Sequence, residues 1–376
     1  MKILFTFLTY GKDIFGGVEK SIYNLIEGLI KINTDAVIFT GKKYEKNKPK
    51  CHKVYYSDYL IQDFDTNQVN KQILENYSTY NKQIHDELIN IINIENPDYI
   101  LAIDHIWGII PYVDIFSKVK CPIGIVFHML HESDLISKMF DYPFDHFFCV
   151  SNFVREKVMK LNFNEKEVVI LPNSISNDFF INNNNKLGKS NIFCNARISY
   201  GKGTKYLIEA FKSILIKYPE CRLYLCNGDF HFMKKFDFSD EISRINSSFE
   251  EDKIILLPNL SWDTISKVLQ NMDLVVLPTE METFGLGALE TIASRIPLIT
   301  TKNGNLSDLL KDSAYFIENI TSKEIFDAID SILSEKASME RKIEEGYQIA
   351  KEYTNTKVAS DFVKYIIDFK VGDKVE

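Results

Sequence analysis

The chain lacks most of what marks a secreted, membrane-spanning or nucleic-acid-binding protein. Its six cysteines (Cys51, Cys121, Cys149, Cys194, Cys221, Cys226) form no CxxC pair. Several lie inside apolar strand-like runs, where free cysteine behaves as a small hydrophobe; that usage fits a reducing cytosol. No stretch approaches the roughly 18 apolar residues that a transmembrane helix requires. The opening "MKILFTFLTYGKD" carries a short apolar run without the small-residue cleavage site of a signal peptide, and reads as a first buried strand. The net charge of −8 is spread over mixed acidic and basic residues along 376 positions, so no nucleic-acid footprint is present. There is no complete GxGxxG and no P-loop lysine. "HMLHE" (128–132) sets His128 and His131 three apart beside Glu132, but it is not HExxH and no third spaced ligand follows, so no metal site is expected.

What the chain does have is alternation. "KILFTFL" (2–8) precedes "GVEKSIYNLIEGLIKI" (17–32), in which Val18, Ile22, Leu25, Ile26, Leu29 and Ile30 share one helical face. Further strand-like runs are "AVIFT" (36–40), "DYILAID" (98–104), "PIGIVFH" (122–128), "DHFFCVS" (145–151) and "EVVILPN" (167–173). Strands alternating with helices imply parallel sheets covered on both faces. "INNNNKLGKS" (181–190) interrupts the pattern as a polar linker. The alternation resumes at "NIFCNA" (191–196), "RLYLCN" (222–227), "KIILLP" (253–258), "DLVVLP" (273–278) and "PLITT" (297–301). The expectation is an α/β protein with two doubly wound Rossmann-like domains, 1–180 and 191–353, facing a central cleft. An amphipathic segment, 354–376, returns to the first domain.

Three short stretches carry candidate chemistry. In "ETFGLGALE" (282–290), Glu282 and Glu290 flank two glycines just after the run "LVVLP". One reading is a helix start with an acidic first turn, which the helix dipole favours. The other is a pair of carboxylates at a strand end, placed to accept hydrogen bonds from a polyhydroxylated ligand beside unpaired helix N–H groups. In "ARISYGKGTKYLIEA", Arg197 and Lys202 project from one strand-to-helix loop. Two cations there suit a diphosphate, although either alone would pass for surface charge. In "DIFGGVEK", Gly16 and Gly17 precede a helix, as in a phosphate approach or an ordinary structural turn.

Together these stretches resemble the retaining glycosyltransferases of family 4, which have the two-domain GT-B fold. "ETFGLGALE" looks like that family's E-x7-E motif, "R…GKG" like its diphosphate-binding pair, and "FGGVEKSIYNLIEGL" like its opening loop and helix. "VFH" (126–128), "VSNFVREKV" (150–158) and "LPNSISNDFF" (171–180) fall in the family's order, so the resemblance covers nearly the whole chain. It implies that Glu290 binds ribose hydroxyls and that Glu282 lies against the donor sugar, with Thr283, Phe284, Gly285 and Leu286 completing the cradle. Arg197 and Lys202 would stabilise the departing diphosphate, Gly16 and Gly17 would reach a phosphate, and His128 would face the sugar.

Three positions depart from the family's pattern. Arg295 and Asn259 stand where glycine is common, and Ser307–Asp308 where a glutamate is common.

The implied activity is a metal-independent, cofactor-free transfer of a sugar, a hexose being expected, from a UDP- or GDP-sugar with retention of configuration. The expected acceptor is a growing poly- or oligosaccharide, with a glycolipid as the alternative. The expected location is the cytoplasm. The basic run "GKKYEKNKPK" (41–50) is either a solvated loop or a contact to anionic lipid at the inner membrane face. Competing functions are a sugar-nucleotide epimerase or hydrolase on the same fold, and a non-catalytic binding subunit.

Overall fold

The computed structural model describes residues 1–10, 16–41, 53–61, 68–129, 141–161, 167–180, 191–226, 238–258, 260–334 and 339–372. They form two compact units, Met1–Ser174 with Asn355–Glu376, and Ile175–Thr354.

The first unit is built on seven strands: β1 (Lys2–Thr6), β2 (Asp35–Thr40), β3 (Lys53–Tyr56), β4 (Tyr99–Ile103), β5 (Ile123–Phe127), β6 (His146–Cys149) and β7 (Val168–Ile170). They lie in the order β3-β2-β1-β4-β5-β6-β7, and every pair is parallel. Every residue of β4 and β5 is buried, as is most of β1, because helices cover both sheet faces. The helix Gly17–Lys31 buries Ile22, Leu25, Ile26 and Leu29, as their spacing predicts. The final helix, Asn355–Gly372, packs against Gly17–Lys31. It also sets the Phe362 ring edge-on to Tyr99 (6.0 Å) and Phe148 (5.5 Å).

The second unit has six parallel strands: β8 (Asn191–Cys194), β9 (Arg222–Cys226), β10 (Ile254–Leu257), β11 (Leu274–Leu277), β12 (Leu298–Thr301) and β13 (Tyr315–Ile317). Their order is β10-β9-β8-β11-β12-β13. In each sheet the chain first winds outward in one direction and then returns to wind in the other. The reversals lie between β1 and β4 and between β8 and β11. At such a reversal the connecting loops part on opposite faces and leave a crevice at the strands' carboxyl ends, where open α/β sheets bind ligands.

The structure moves the expected domain boundary. Residues 175–179 belong to the second unit and not the first: Ile175 N donates to Tyr353 O (3.0 Å), and the Phe179 carbonyl accepts from Ser294 Oγ (3.1 Å). Strands β3 and β13 have no counterpart in the sequence reading. Each is a short edge strand with half-exposed residues and so lacks a continuous apolar run. The expected linker 181–190, most of the basic run 41–50, Asn259, and His131 with Glu132 lie outside the described residues. Cys149, Cys194 and Cys221 are buried. Among the described residues no helix is long and apolar enough to cross a membrane.

Candidate active site

In the second unit the candidate residues gather at the β8/β11 reversal. The loop leaving β8 carries Asn195 and Arg197 and ends in a single helical turn, Tyr200–Lys202. The loop leaving β11 carries Thr279 and Glu282. Backbone hydrogen bonding laces the two together, with Glu280 N donating to Gly201 O at 2.9 Å. Lys202 Nζ is then held on the second loop, donating to Thr279 Oγ1 at 3.2 Å and pairing with the Glu282 carboxylate. The two side chains are 21% and 28% exposed, so this ion pair is partly solvated and modest in strength. A ligand anion can therefore exchange for Glu282. Arg197 lies exposed on the same β8 loop.

The stretch 282–290 is not an acidic helix start. Its helix runs Leu286–Ala293 and has no acid in the first turn; Glu282 precedes it by four residues and Glu290 lies in its second turn. The helix begins after Gly285, whose φ of 103° is left-handed. Phe284 is buried against Tyr353, ring centroids 5.8 Å apart. Thr283 and Leu286 are half-buried.

A second loop braces this one from beneath. Asn305 N donates to Glu282 O (2.9 Å) and Asn305 Nδ2 to Phe284 O (3.0 Å). The preceding Gly304 has φ 69°, and a Cβ there would stand 2.0 Å from the Glu282 carbonyl oxygen. Only glycine permits that approach. Glu290 is 1% exposed and accepts a hydrogen bond from Asn195 Nδ2 at 3.1 Å.

The first unit gathers its own candidates at the β1/β4 reversal. His128 follows β5 and is buried. Its backbone N–H donates to Asp104 Oδ1 (2.7 Å), and its Nε2 lies 3.4 Å from Ser21 Oγ, which donates to Asn173 Oδ1 (2.6 Å). Burial pushes the imidazole down to about 3, against an opposing hydrogen bond with Asn173. Burial pushes the Asp104 carboxyl up to about 7, against the lowering effect of the His128 and Met129 backbone N–H groups, with nearby Glu19 raising it further. The imidazole is therefore neutral at pH 7, and the 3.8 Å approach of Nδ1 to Asp104 Oδ2 is not an ion pair. Gly17 opens the helix Gly17–Lys31 and is exposed, with nothing within 4 Å of where a Cβ would stand. Glu19 is the acid of that first turn, and its carboxylate lies directly over Gly16.

Thr279, Asn195, Asn305 and Asp104 were not singled out from the sequence. Each is a polar residue at or just past the end of an apolar run, which was the available signal. Two departures from the family pattern also find their place. Arg295 has φ 56°, the backbone that favours glycine, and it stacks on Tyr347 at 3.8 Å while pairing with Glu344. Asp308 is exposed on the short helix Leu306–Leu310. Among the described residues no cluster of three or more His, Cys, Asp or Glu is placed to hold a metal ion.

Residues 15–179 match the family model Glycosyltransferase Family 4, and residues 176–349 match Glycosyl transferases group 1. An uncharacterized glycosyltransferase of Methanocaldococcus jannaschii, MJ1607, is 29% identical over 115 residues, which is 31% of this chain and 28% of that protein. The chain spans less than half the length of the first curated relatives it matches: 28%, 45% and 25%. Sucrose-phosphate synthase from Thermosynechococcus elongatus superposes with a TM-score of 0.74 at 13% identity, over 99% of each chain. Anabaena HepE, solved in complex with UDP and glucose, gives 0.70 at 14% identity, over 97% of this chain and 99% of that one. At these identities the likeness is one of fold, and the fold is GT-B.

Proposed function

We propose that the chain, which belongs to glycosyltransferase family 4, transfers a hexose from a nucleoside-diphosphate sugar through the Lys202–Glu282–Glu290 site. The single observation that carries this is the convergence of Lys202, Thr279 and Glu282 at one reversal point, with Glu290 in the helix that follows.

When the donor's C1–O bond breaks, its electron pair leaves on the diphosphate and positive charge develops on the sugar ring. A cation fixed beside the diphosphate stabilises that state more than the ground state, which is the condition for acceleration. Lys202 takes this part by leaving Glu282 for the diphosphate, and the exposed Arg197 is the second cation. Glu282, released, accepts hydroxyls of the donor sugar, with the backbone from Thr283 to Leu286 around it. Glu290 accepts ribose hydroxyls.

The acceptor hydroxyl attacks from the face the diphosphate leaves, and its proton passes to the departing oxygen, so configuration is retained. Neither glutamate acts as a covalent nucleophile. These groups supply the charge stabilisation, so the reaction is assigned no metal and no cofactor. At the first unit's reversal point, the neutral His128 and the backbone of Gly16 and Gly17 offer hydrogen bonds suited to a sugar hydroxyl or a phosphate. Glu19 must swing from over Gly16 for a phosphate to approach there.

UDP- and GDP-sugars both fit this chemistry. The proposed acceptor is a growing cell-surface poly- or oligosaccharide, with synthesis at the cytoplasmic side of the membrane. The test is a thermal-shift screen against nucleotides and nucleotide sugars, followed by turnover of the stabilising donor with and without glycan acceptors. A ligand that binds only the folded state raises the melting temperature. Transfer that needs an acceptor and survives a chelator supports the proposal. Product from donor alone would favour an epimerase or hydrolase, and no shift with any nucleotide would favour a binding subunit.

A further inference from the structure

The hydrogen bond between Asn195 and Glu290 links two segments 95 residues apart in sequence. Asn195 is the first residue past β8, and Glu290 lies in the helix Leu286–Ala293 that follows β11. Their meeting depends on a close backbone approach. A Cβ on Gly287, the second residue of that helix, would stand 3.0 Å from the Asn195 carbonyl oxygen. A side chain at 287 would crowd the Asn195 carbonyl, so that backbone would have to give way slightly. A carboxylate only accepts hydrogen bonds, so the amide must turn its NH2 toward Oε2. That hydrogen bond holds one carboxylate oxygen in place, in a side chain that is itself 1% exposed.

We infer that Asn195 is a positioning residue for Glu290, and that the pair together sets the site's preference for a nucleotide bearing ribose hydroxyls. This rests on the assignment of Glu290 to the ribose. Orientation matters there because a carboxylate takes the two vicinal hydroxyls of a ribose only when its plane faces them. A carboxylate turned out of that plane keeps its charge and loses that discrimination. Asn195 thus acts through Glu290, by direction and not by added charge.

The test is the binding, by calorimetry, of UDP and GDP and of their 2′,3′-dideoxy forms to the full chain and its variants. Wild type should prefer the ribonucleotide of the class it binds by about tenfold or more, as a hydrogen bond to a charged group implies. Glu290→Gln should shrink that preference. Asn195→Ala should shrink it about as far, with affinity for the dideoxy form held within about twofold. A purely structural loss would weaken both nucleotides alike and leave their ratio unchanged.

Asn195→Asp is nearly isosteric and sets a second carboxylate against the first. It should abolish the preference even if Asn195→Ala proves too unstable to assay. A reduced ratio in Glu290→Gln with an unchanged ratio in both Asn195 variants overturns the positioning role and leaves the site assignment standing. An unchanged ratio in Glu290→Gln, or no nucleotide binding by wild type, overturns both.

Discussion

Replacing Gly304 by alanine tests how the site loop is held, because the structure fixes each contribution. The residue has φ 69°, and a left-handed backbone costs an L-residue about 1–2 kcal/mol. Its new Cβ would stand 2.0 Å from the Glu282 carbonyl oxygen and 2.9 Å from the Glu282 N and C atoms, so one of the two loops must move. Movement breaks the 2.9 Å bond from Asn305 N to Glu282 O, a further loss of about 0.5–1.5 kcal/mol. The sum is about 1.5–3.5 kcal/mol, taking both contributions together. For a unit of this size, about 2–4 °C per kcal/mol gives a fall in melting temperature of about 3–14 °C. Activity at a temperature where the variant stays folded should fall further than stability does, because the displaced residue is Glu282. Differential scanning calorimetry and turnover on the same sample read both. A variant with wild-type melting temperature and wild-type turnover would refute the claim that the Gly304 turn braces the Glu282 loop.

Two predictions concern acid and base. Burial raises the Glu95 carboxyl, but hydrogen bonds from Lys53, Tyr55 and Lys2 outweigh it and hold the group at about 2, below its ordinary 4.5. A depressed carboxyl stabilises the fold above the unfolded value and loses that stabilisation as pH falls from about 4.5 through about 2. Glu95→Gln should lower stability at pH 7 and flatten this limb of the acid-denaturation profile. Asp104 has the opposite sign. Its folded value near 7 exceeds the ordinary 3.8, so the folded state binds the extra proton and its stability declines as pH rises between the two. Asp104→Asn keeps an acceptor for the His128 N–H. His128, held down to about 3, adds stability over the same range in both proteins, so in urea titrations at pH 5 and pH 8 the variant should gain stability toward pH 8 relative to the wild type.

The fold was legible because its central strands are buried on both faces. β1, β4, β5 and β11 read as continuous apolar runs, and the helix Gly17–Lys31 shows its apolar face at the right spacing. Two edge strands, β3 and β13, gave no such signal. Lys53–Tyr56 pairs on one side only and needs no apolar run. Candidate site residues stood out where a carboxylate, cation or glycine had a recognisable spacing, as at Lys202, Glu282 and Glu290. Thr279, Asn195 and Asn305 escaped because their importance lies in what they touch: Lys202, Glu290 and the backbone of residues 282 and 284. Those partners lie 77, 95 and about 20 residues away in sequence, and only the strand order β8-β11-β12 brings them together. The boundary at 174 was hidden for a similar reason, since residues 175–179 are tied to partners at 294 and 353.

The most direct measurement is the turnover of Lys202→Ala at saturating donor, using the sugar nucleotide that stabilises the wild type. Lys202 is partly solvated and its pair with Glu282 is modest, so the variant should fold and melt close to wild type. A lysine that stabilises the departing diphosphate is worth about 2.7–4 kcal/mol of barrier, so kcat should fall by about 10²–10³. A folded variant with wild-type kcat would place the diphosphate elsewhere and contradict the account.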